Sequence, residues 1–407
     1  MRRMIALVAG LLTITALALT PSRADVPTFA PWVQVGTGIS EPGVHVGPDG
    51  TIFVDGPSGL GVHSKLWRST DGGNSYDEIV FSRGLSRLPG GGDSDVAIRT
   101  TPNGQRVYYL DLWAGSNSIS VSEDNGETWV IGTPFTSLPL SDRQWIALGP
   151  VDPLTGLDTV YVLYALIQEP RQVMIARSTT GGLTWEGHFP APALLDARGF
   201  TGQLVSDEQG FLAFVWEDGG TLWSGYSTDG GETWGQSQPI ATQVYGLISG
   251  VALDGDDMHA VWLSRLDWSV QYARSADRGA TWDAPQTLSA GGSNVFPWVD
   301  ARDGKVAVTW TAGDAHTGNP DDAAGDVAWV ARYVESLDGG TTWSASVDVG
   351  PAKTGKICVS GLSCDLDGSG GRELGDFQSV AIMPDGRSVI GFGGRIAFGA
   401  KTAVQIS

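Results

Sequence analysis

The residues with chemical potential sit in short loops. Three such loops set an arginine beside a carboxylate: LSDRQW with Asp142, Arg143 and Trp145, LDARGF with Asp196 and Arg198, and GGRELGDF with Arg372, Glu373 and Asp376. Guanidinium groups grip a carboxylate by charge-assisted, often bidentate, hydrogen bonds. Arg143, Arg198 and Arg372 would therefore form a carboxylate clamp if the fold gathered their loops. SRLDW adds Arg265, Asp267 and Trp268, GDAHTGNPDD adds Asp314, His316 and Asp321, and further loops offer Asp93 with Asp95, and Tyr245. For each charge the plain alternative is a solvated loop residue. For Trp145 and Trp268 the alternatives are stacking on a sugar ring and packing in the core.

A second pattern has the spacing of a cation site. DLDGSGGRELGD, residues 365–376, offers oxygens at Asp365, Asp367, Ser369 and Asp376 with Gly370 at the sixth position, as in a twelve-residue calcium loop. It departs from that loop at its last position, where Asp stands for a bidentate Glu, and at its eighth, where Arg372 replaces an apolar residue. No helical pattern flanks it, so a structural calcium ion and a plain glycine-rich turn both remain open. The two cysteines, Cys358 and Cys364, lie just before it, and in an oxidising compartment they read as a loop-stapling disulfide. No phosphate-binding glycine loop, His-Glu-x-x-His or Gly-x-Ser-x-Gly elbow is present, and no cofactor is required.

The chain opens with Arg2 and Arg3, an apolar run from Met4 to about Thr20, and small residues at Ser22 and Ala24. That is the form of a secretory signal peptide cut after Ala24, leaving residues 25–407 as the mature, secreted protein without a membrane anchor. Cleavage removes three arginines and no acid, which deepens the net charge from −20 to −23. So acidic a surface repels nucleic acid and favours solubility outside the cell, where a monomer is expected. One disulfide cannot hold such a length together, so the fold rests on an apolar core rich in tryptophan.

The elements that must position those loops are announced by a repeat. STDGGNSY from Ser69, SEDNGETW from Ser122, STTGGLTW from Ser178, STDGGETW from Ser227, SADRGATW from Ser275 and SLDGGTTW from Ser336 begin 53, 56, 49, 48 and 61 residues apart. Each follows a short alternating run, as in VMIAR or VQYAR, so strand, turn, strand is the local structure. Ser and Asp side chains accept from the turn's backbone N–H groups, Gly supplies a positive φ, and the Trp plugs the hairpin. Between these turns lie seven further strand pairs, from VHVGPDGTIFVDG to SVAIMPDGRSVIGFG. Two strands from each pair and two around a turn make a four-stranded antiparallel blade. The chain is thus expected to form a single all-β domain, a seven-bladed β-propeller, with six blades as the alternative. The last pair lacks a turn of its own, and the N-terminal PWVQVG, Pro31 to Gly36, is expected to supply its outer strand and close the ring.

Ser-x-Asp-x-Gly-x-Thr-Trp resembles the Asp-box, or BNR repeat, and over its mature length the chain is similar to the sialidase-type propeller superfamily. The resemblance implies a protein acting on extracellular glycans, with exo-sialidase as the best-known activity. Such enzymes clamp the sugar carboxylate with three arginines, attack with a Tyr activated by a Glu, and use an Asp as acid/base. Carried onto this chain, the clamp is Arg143, Arg198 and Arg372, the acid/base Asp142 or Asp95, and the nucleophilic pair Tyr245 with Glu217. The family's first arginine precedes the first box, yet here Glu41 to Val54 contains none. A non-catalytic propeller that binds a glycan or protein, and a lyase of uronate polymers, therefore stand beside the glycosidase reading.

Overall fold

The computed structural model describes residues 26–407 except 59–63, 81–89, 103, 114–115, 133–134, 137–140, 167–171, 187, 191–199, 237, 362–363, 365–367, 369 and 395–398. The leader expected at residues 1–24 lies outside the described residues, as do Arg198, Asp365, Asp367 and Ser369.

Seven antiparallel sheets make up the fold among the described residues, and in six of them the first four strands are paired in chain order from the axis outward. Blade 1 is Gly43–Val46, Ile52–Gly56, Lys65–Ser69 and Asp77–Glu78. Blade 2 is Gly90–Thr101, Gly104–Trp113, Ser116–Ser122 and Val130–Ile131, and blade 3 is Ser141–Val151, Asp158–Leu166, Gln172–Ser178 and His188–Pro190. Blade 4 is Phe200–Ser206, Leu212–Asp218, Thr221–Ser227 and Gly235–Gln236, with Ala241–Thr242 also on its third strand. Blade 5 is Val244–Asp254, Asp257–Ser264, Val270–Ser275 and Gln286–Thr287, and blade 6 is Ser293–Arg302, Lys305–Gly313, Ala328–Ser336 and Val347–Thr354. Blade 7 joins Ser379–Ile382, Ser388–Gly394 and Gly399–Val404 to Val33–Gly36 from the other end of the chain. Val33 faces Thr402 and Gln34 faces Lys401 in that last pairing, so the ring closes as the sequence predicts. Closure removes the free edge that a truncated seventh sheet would expose.

Second strands are sandwiched between neighbouring blades, which explains their continuous apolar character. Every residue of Lys305–Gly313 is buried. Large aromatics fill the wedges between sheets, among them Trp262, Trp310, Tyr272 and Phe214.

All six recurring turns join a third strand to a fourth, and they share one hydrogen-bond scheme. The buried Ser Oγ accepts the N–H of the Gly four residues on, at 2.8 to 3.0 Å, in Gly73, Gly126, Gly182, Gly231, Gly279 and Gly340. Each of these glycines has φ between +82° and +88°, where a Cβ is strained. The Asp carboxylate accepts the N–H four residues beyond itself, for example Thr281 to Asp277 at 2.8 Å. Thr180, standing in the Asp position of the third copy, accepts the Thr184 N–H through its hydroxyl at 2.9 Å instead. In three copies, Trp129, Trp234 and Trp282, the indole N–H donates to the carbonyl of that same glycine.

Candidate functional site

The innermost strands run from an upper face, where loops lead into them, to a lower face that carries the six turns. Each inner strand is an edge strand whose channel-side N–H groups need acceptors. Side chains of alternate blades supply them across the gap. Asp95 of blade 2 accepts the Ile146 N–H of blade 3 at 2.8 Å, Gln203 of blade 4 accepts that of Val251 in blade 5 at 3.0 Å, and Asp300 of blade 6 accepts that of Ile382 in blade 7 at 2.6 Å. These groups line an axial cavity of about 500 Å³ together with His45, Ser94, Trp145, Trp298, Arg302, Phe377 and Ser379.

Within that cavity the acids are not ordinary. Burial pushes the Asp95 carboxyl up to about 7 against the pull of His45 and two backbone N–H groups. Burial likewise raises Asp300 to about 6. His45 Nε2 lies 2.8 Å from Asp55 Oδ1 and its Nδ1 lies 3.6 Å from Asp95 Oδ1. Burial lowers the His45 pKa, but the charge and hydrogen bond of Asp55 together with the charges of Asp95 and Asp300 outweigh it, so the net shift is upward. Asp55 also accepts from the Ser94 hydroxyl at 2.5 Å.

At the upper mouth two of the sequence-predicted arginines meet. Inner strands in five blades change register near their upper ends, and in blade 3 the shift falls between Asp142 and Trp145. Arg143 sits in that bulge with φ +56°, which re-aims its side chain. Its Nη2 lies 3.0 Å from Asp376 Oδ2, and the guanidinium stacks 4.4 Å from the Phe377 ring centroid. Arg372 donates to the other oxygen of Asp376 and lies 3.9 Å from Glu41 Oε1. Glu41 in turn accepts the Asp376 N–H at 2.7 Å. The pair thus converges on one carboxylate, and that carboxylate belongs to the chain. Only 2% of Arg143 is exposed.

The described residues between 355 and 378, which bring Asp376 there, contact several blades. They are anchored by the Tyr245 hydroxyl donating to the Val359 carbonyl at 2.5 Å, by Ile357 N–H on Pro320, and by Glu41 N–H on Leu374. Cys358 and Cys364 are joined among them, as the sequence predicts. Phe377, Trp145 and Trp298 pack edge-on or tilted beneath, with ring centroids 5.4 to 5.8 Å apart.

Several expectations are corrected here. Tyr245 and Glu217 do not form a nucleophile and its base. Glu217 does reach the backbone beside Tyr245, where a Cβ on Gly246 would stand 1.7 Å from its Oε2, but it accepts the Gly220 N–H at 2.5 Å while the phenol donates to Val359. Burial raises Tyr245 to about 12, the opposite of activation. Burial also raises Glu217, partly offset by the Arg265 charge. Both oxygens of Asp376 face guanidinium groups, while the other calcium candidates, Asp365, Asp367 and Ser369, lie outside the described residues. Trp145 and Trp268 are core residues, 5% and 9% exposed, Trp268 lying tilted at 43° with its ring centroid 4.7 Å from that of Tyr245. Asp142 accepts the N–H of its neighbour Arg143, and Arg265 lies exposed on the rim. His316 Nε2 is engaged with the Asn319 carbonyl at 2.8 Å.

Sequence reasoning missed Glu41, His45, Gln203, Asp300 and Phe377. The signal available was positional: Asp95 and Asp300 occupy equivalent places in their inner strands, each an acid followed within two residues by Ala, in SDVAI and WVDAR, and each also accepts the N–H of the residue after it.

No protein-family model matches the chain, and no curated protein does. Solved structures match it by fold. A GH74 xyloglucanase from Xanthomonas campestris superposes with a TM-score of 0.53 at 14% identity, over 92% of this chain and 53% of that one. A protein of unknown function from Dyadobacter fermentans gives 0.50 at 14% identity, over 94% of this chain and 99% of that one. A Hadza microbial sialidase gives 0.46 at 17% identity, over 84% and 73%. What is shared is the propeller architecture expected from the recurring turn.

Proposed function

We propose that the chain is a secreted, sialidase-type propeller with Asp-box turns that binds extracellular glycans, recognises a carboxylated sugar at its upper mouth, and lacks the sialidase nucleophile. The observation that carries this reading is the convergence of Arg143 and Arg372 on the single carboxylate of Asp376. Two guanidinium groups aimed at one carboxylate define the geometry a sugar acid needs. Asp376 holds that place in the free protein, and a ligand takes it by exchange of one carboxylate for another. The glycan-acting name of the xyloglucanase that shares the fold is consistent with this reading. The disulfide accords with an oxidising compartment, and among the described residues no helix is long and apolar enough to cross a membrane.

The exo-sialidase alternative, which needs a free Tyr nucleophile, is disfavoured by one fact, the donation of the Tyr245 hydroxyl to the Val359 carbonyl. The test is a fluorogenic sialoside offered to the purified protein, alongside calorimetric titration with N-acetylneuraminate, glucuronate and glucose. The reading expects no turnover, binding of a sugar acid over its neutral counterpart, and loss of that preference in Arg372→Ala. Turnover of the sialoside overturns the non-catalytic assignment, and equal affinity for glucuronate and glucose overturns the mouth as an acid site.

A further inference from the structure

The axial cavity carries a second site, distinct from the upper mouth. Its upper end is covered by the Arg143, Asp376 and Arg372 cluster and by Phe377 and Trp145, of which Arg143, Asp376, Phe377 and Trp145 are only 2 to 8% exposed. Exposure rises toward the lower face: in blade 4 Leu204 is buried while Val205 and Ser206 are partly open, in blade 5 Val251 is buried while Leu253 is partly open, and the Arg302 side chain of blade 6 is 40% exposed. Among the described residues, the cavity therefore opens on the face of the six recurring turns.

Its lining is rich in hydrogen-bonding groups that the fold uses only in part. Asp95, Asp300 and Gln203 each spend oxygens on backbone N–H groups, yet a carboxylate has about four acceptor positions and an amide oxygen two. At the closed end stands a donor without an acceptor. Trp145 lines the cavity, is 5% exposed, and its Nε1–H has no hydrogen-bond partner. Buried indole N–H groups ordinarily find one. Trp298 offers a partly open aromatic face beside it. Inward carboxylates disfavour an anion, and the Phe377 ring is already covered by the Arg143 guanidinium, which disfavours a cation at the closed end.

We infer that the axial cavity binds a small neutral polyhydroxylated molecule, of mono- to disaccharide size, which enters from the lower face, stacks on Trp298, donates hydroxyls to Asp95, Asp300 and Gln203, and accepts from Trp145 Nε1. The volume of about 500 Å³ lies in the range of small-molecule sites. This site goes beyond the mouth reading and stands or falls separately from it.

The experiment titrates the protein with D-glucose, D-galactose, D-mannose and L-arabinose, reading intrinsic tryptophan fluorescence and calorimetry. At least one is expected to bind and to leave N-acetylneuraminate binding unaltered. Trp145→Phe, which keeps the ring and removes the N–H, is expected to weaken it about two- to tenfold, the worth of one hydrogen bond. Ser206→Phe, which narrows the lower opening, is expected to abolish it. Thermal melts of both variants establish that they are folded. If no neutral sugar binds, or if binding survives Ser206→Phe in a folded variant, the lower-face site is overturned. If bound sugar is displaced by glucuronate, the two sites are one and the inference fails even where the mouth reading holds.

Discussion

Asp300 offers the most searching perturbation of the channel. Its Oδ1 accepts the Ala301 N–H at 2.9 Å and its Oδ2 the Ile382 N–H at 2.6 Å, so it ties blade 6 to blade 7. Burial nevertheless raises its carboxyl from 3.8 to about 6. The folded chain thus holds this proton more tightly than the unfolded one. Stability is fully present below the unfolded value, and it is lost as pH rises through the folded one. About two units at 1.36 kcal/mol each give a loss of at most about 3 kcal/mol between roughly pH 4 and pH 8. In Asp300→Asn the amide cannot ionise, and its NH2 cannot accept from Ile382. At low pH that variant is expected to be less stable than the parent by about 1 to 3 kcal/mol, the cost of one unsatisfied buried N–H. At high pH the parent carries the desolvated charge and the two converge or cross. Urea unfolding at both ends of that range gives each difference directly. A destabilisation that is the same at both pH values would refute the argument, because it would mean that Asp300 does not titrate in this range.

Other outcomes follow from single contacts. Deleting residues 26–38 removes the outer strand of blade 7 and should abolish cooperative thermal unfolding, since the ring has no other closure. Asp277→Ala frees the solvent-accessible N–H and hydroxyl of Thr281 from their acceptor and should cost about 0.5 to 1.5 kcal/mol, read from urea midpoints, whereas Thr180→Asp should stabilise the third turn by supplying the missing charged acceptor. Joint Cys358→Ser and Cys364→Ser closes no loop and should cost on the order of 2 kcal/mol of loop-closure entropy, measured as the shift of the unfolding midpoint. Arg143 and Arg372 engage both Asp376 oxygens, so chelator is expected to leave the melting temperature unchanged, and a fall would restore the calcium reading of residues 365–376.

The architecture was legible because it is written locally and repeatedly. A Ser that caps a turn four residues on, a Gly at positive φ and an indole are contained within eight residues, so each turn can be read without its neighbours. Even the ring closure was legible, since seven strand pairs against six turns leave one place for Pro31 to Gly36. The cavity was not legible for the opposite reason. Asp95 becomes a channel acid only when Ile146, in another blade, presents an N–H to it, and Arg143 reaches the mouth only through a bulge that no residue in LSDRQW announces. The clamp expectation chose two arginines that do meet, but a count of charges along the chain has no means of assigning Asp376 to them rather than to a calcium loop.

That assignment links the two halves of the molecule. Asp376 is held by Arg143, by Arg372 and, through its N–H, by Glu41, so one residue of the 355–378 segment ties blades 1, 3 and 7 above the channel. Removing one partner of a buried pair leaves the other charge uncompensated, at a cost of about 3 to 5 kcal/mol. A carboxylated ligand that entered between the guanidinium groups would restore the charge it displaced, so the exchange is nearly balanced electrostatically while the segment itself is set free. Asp376→Ala should accordingly be markedly destabilised alone and regain much of that loss in acetate or glucuronate, whereas glucose should not rescue it. Chemical rescue of the melting temperature by small carboxylates, absent with chloride at equal ionic strength, measures whether the mouth is a carboxylate site. Equal rescue by chloride would reduce it to a structural charge cluster.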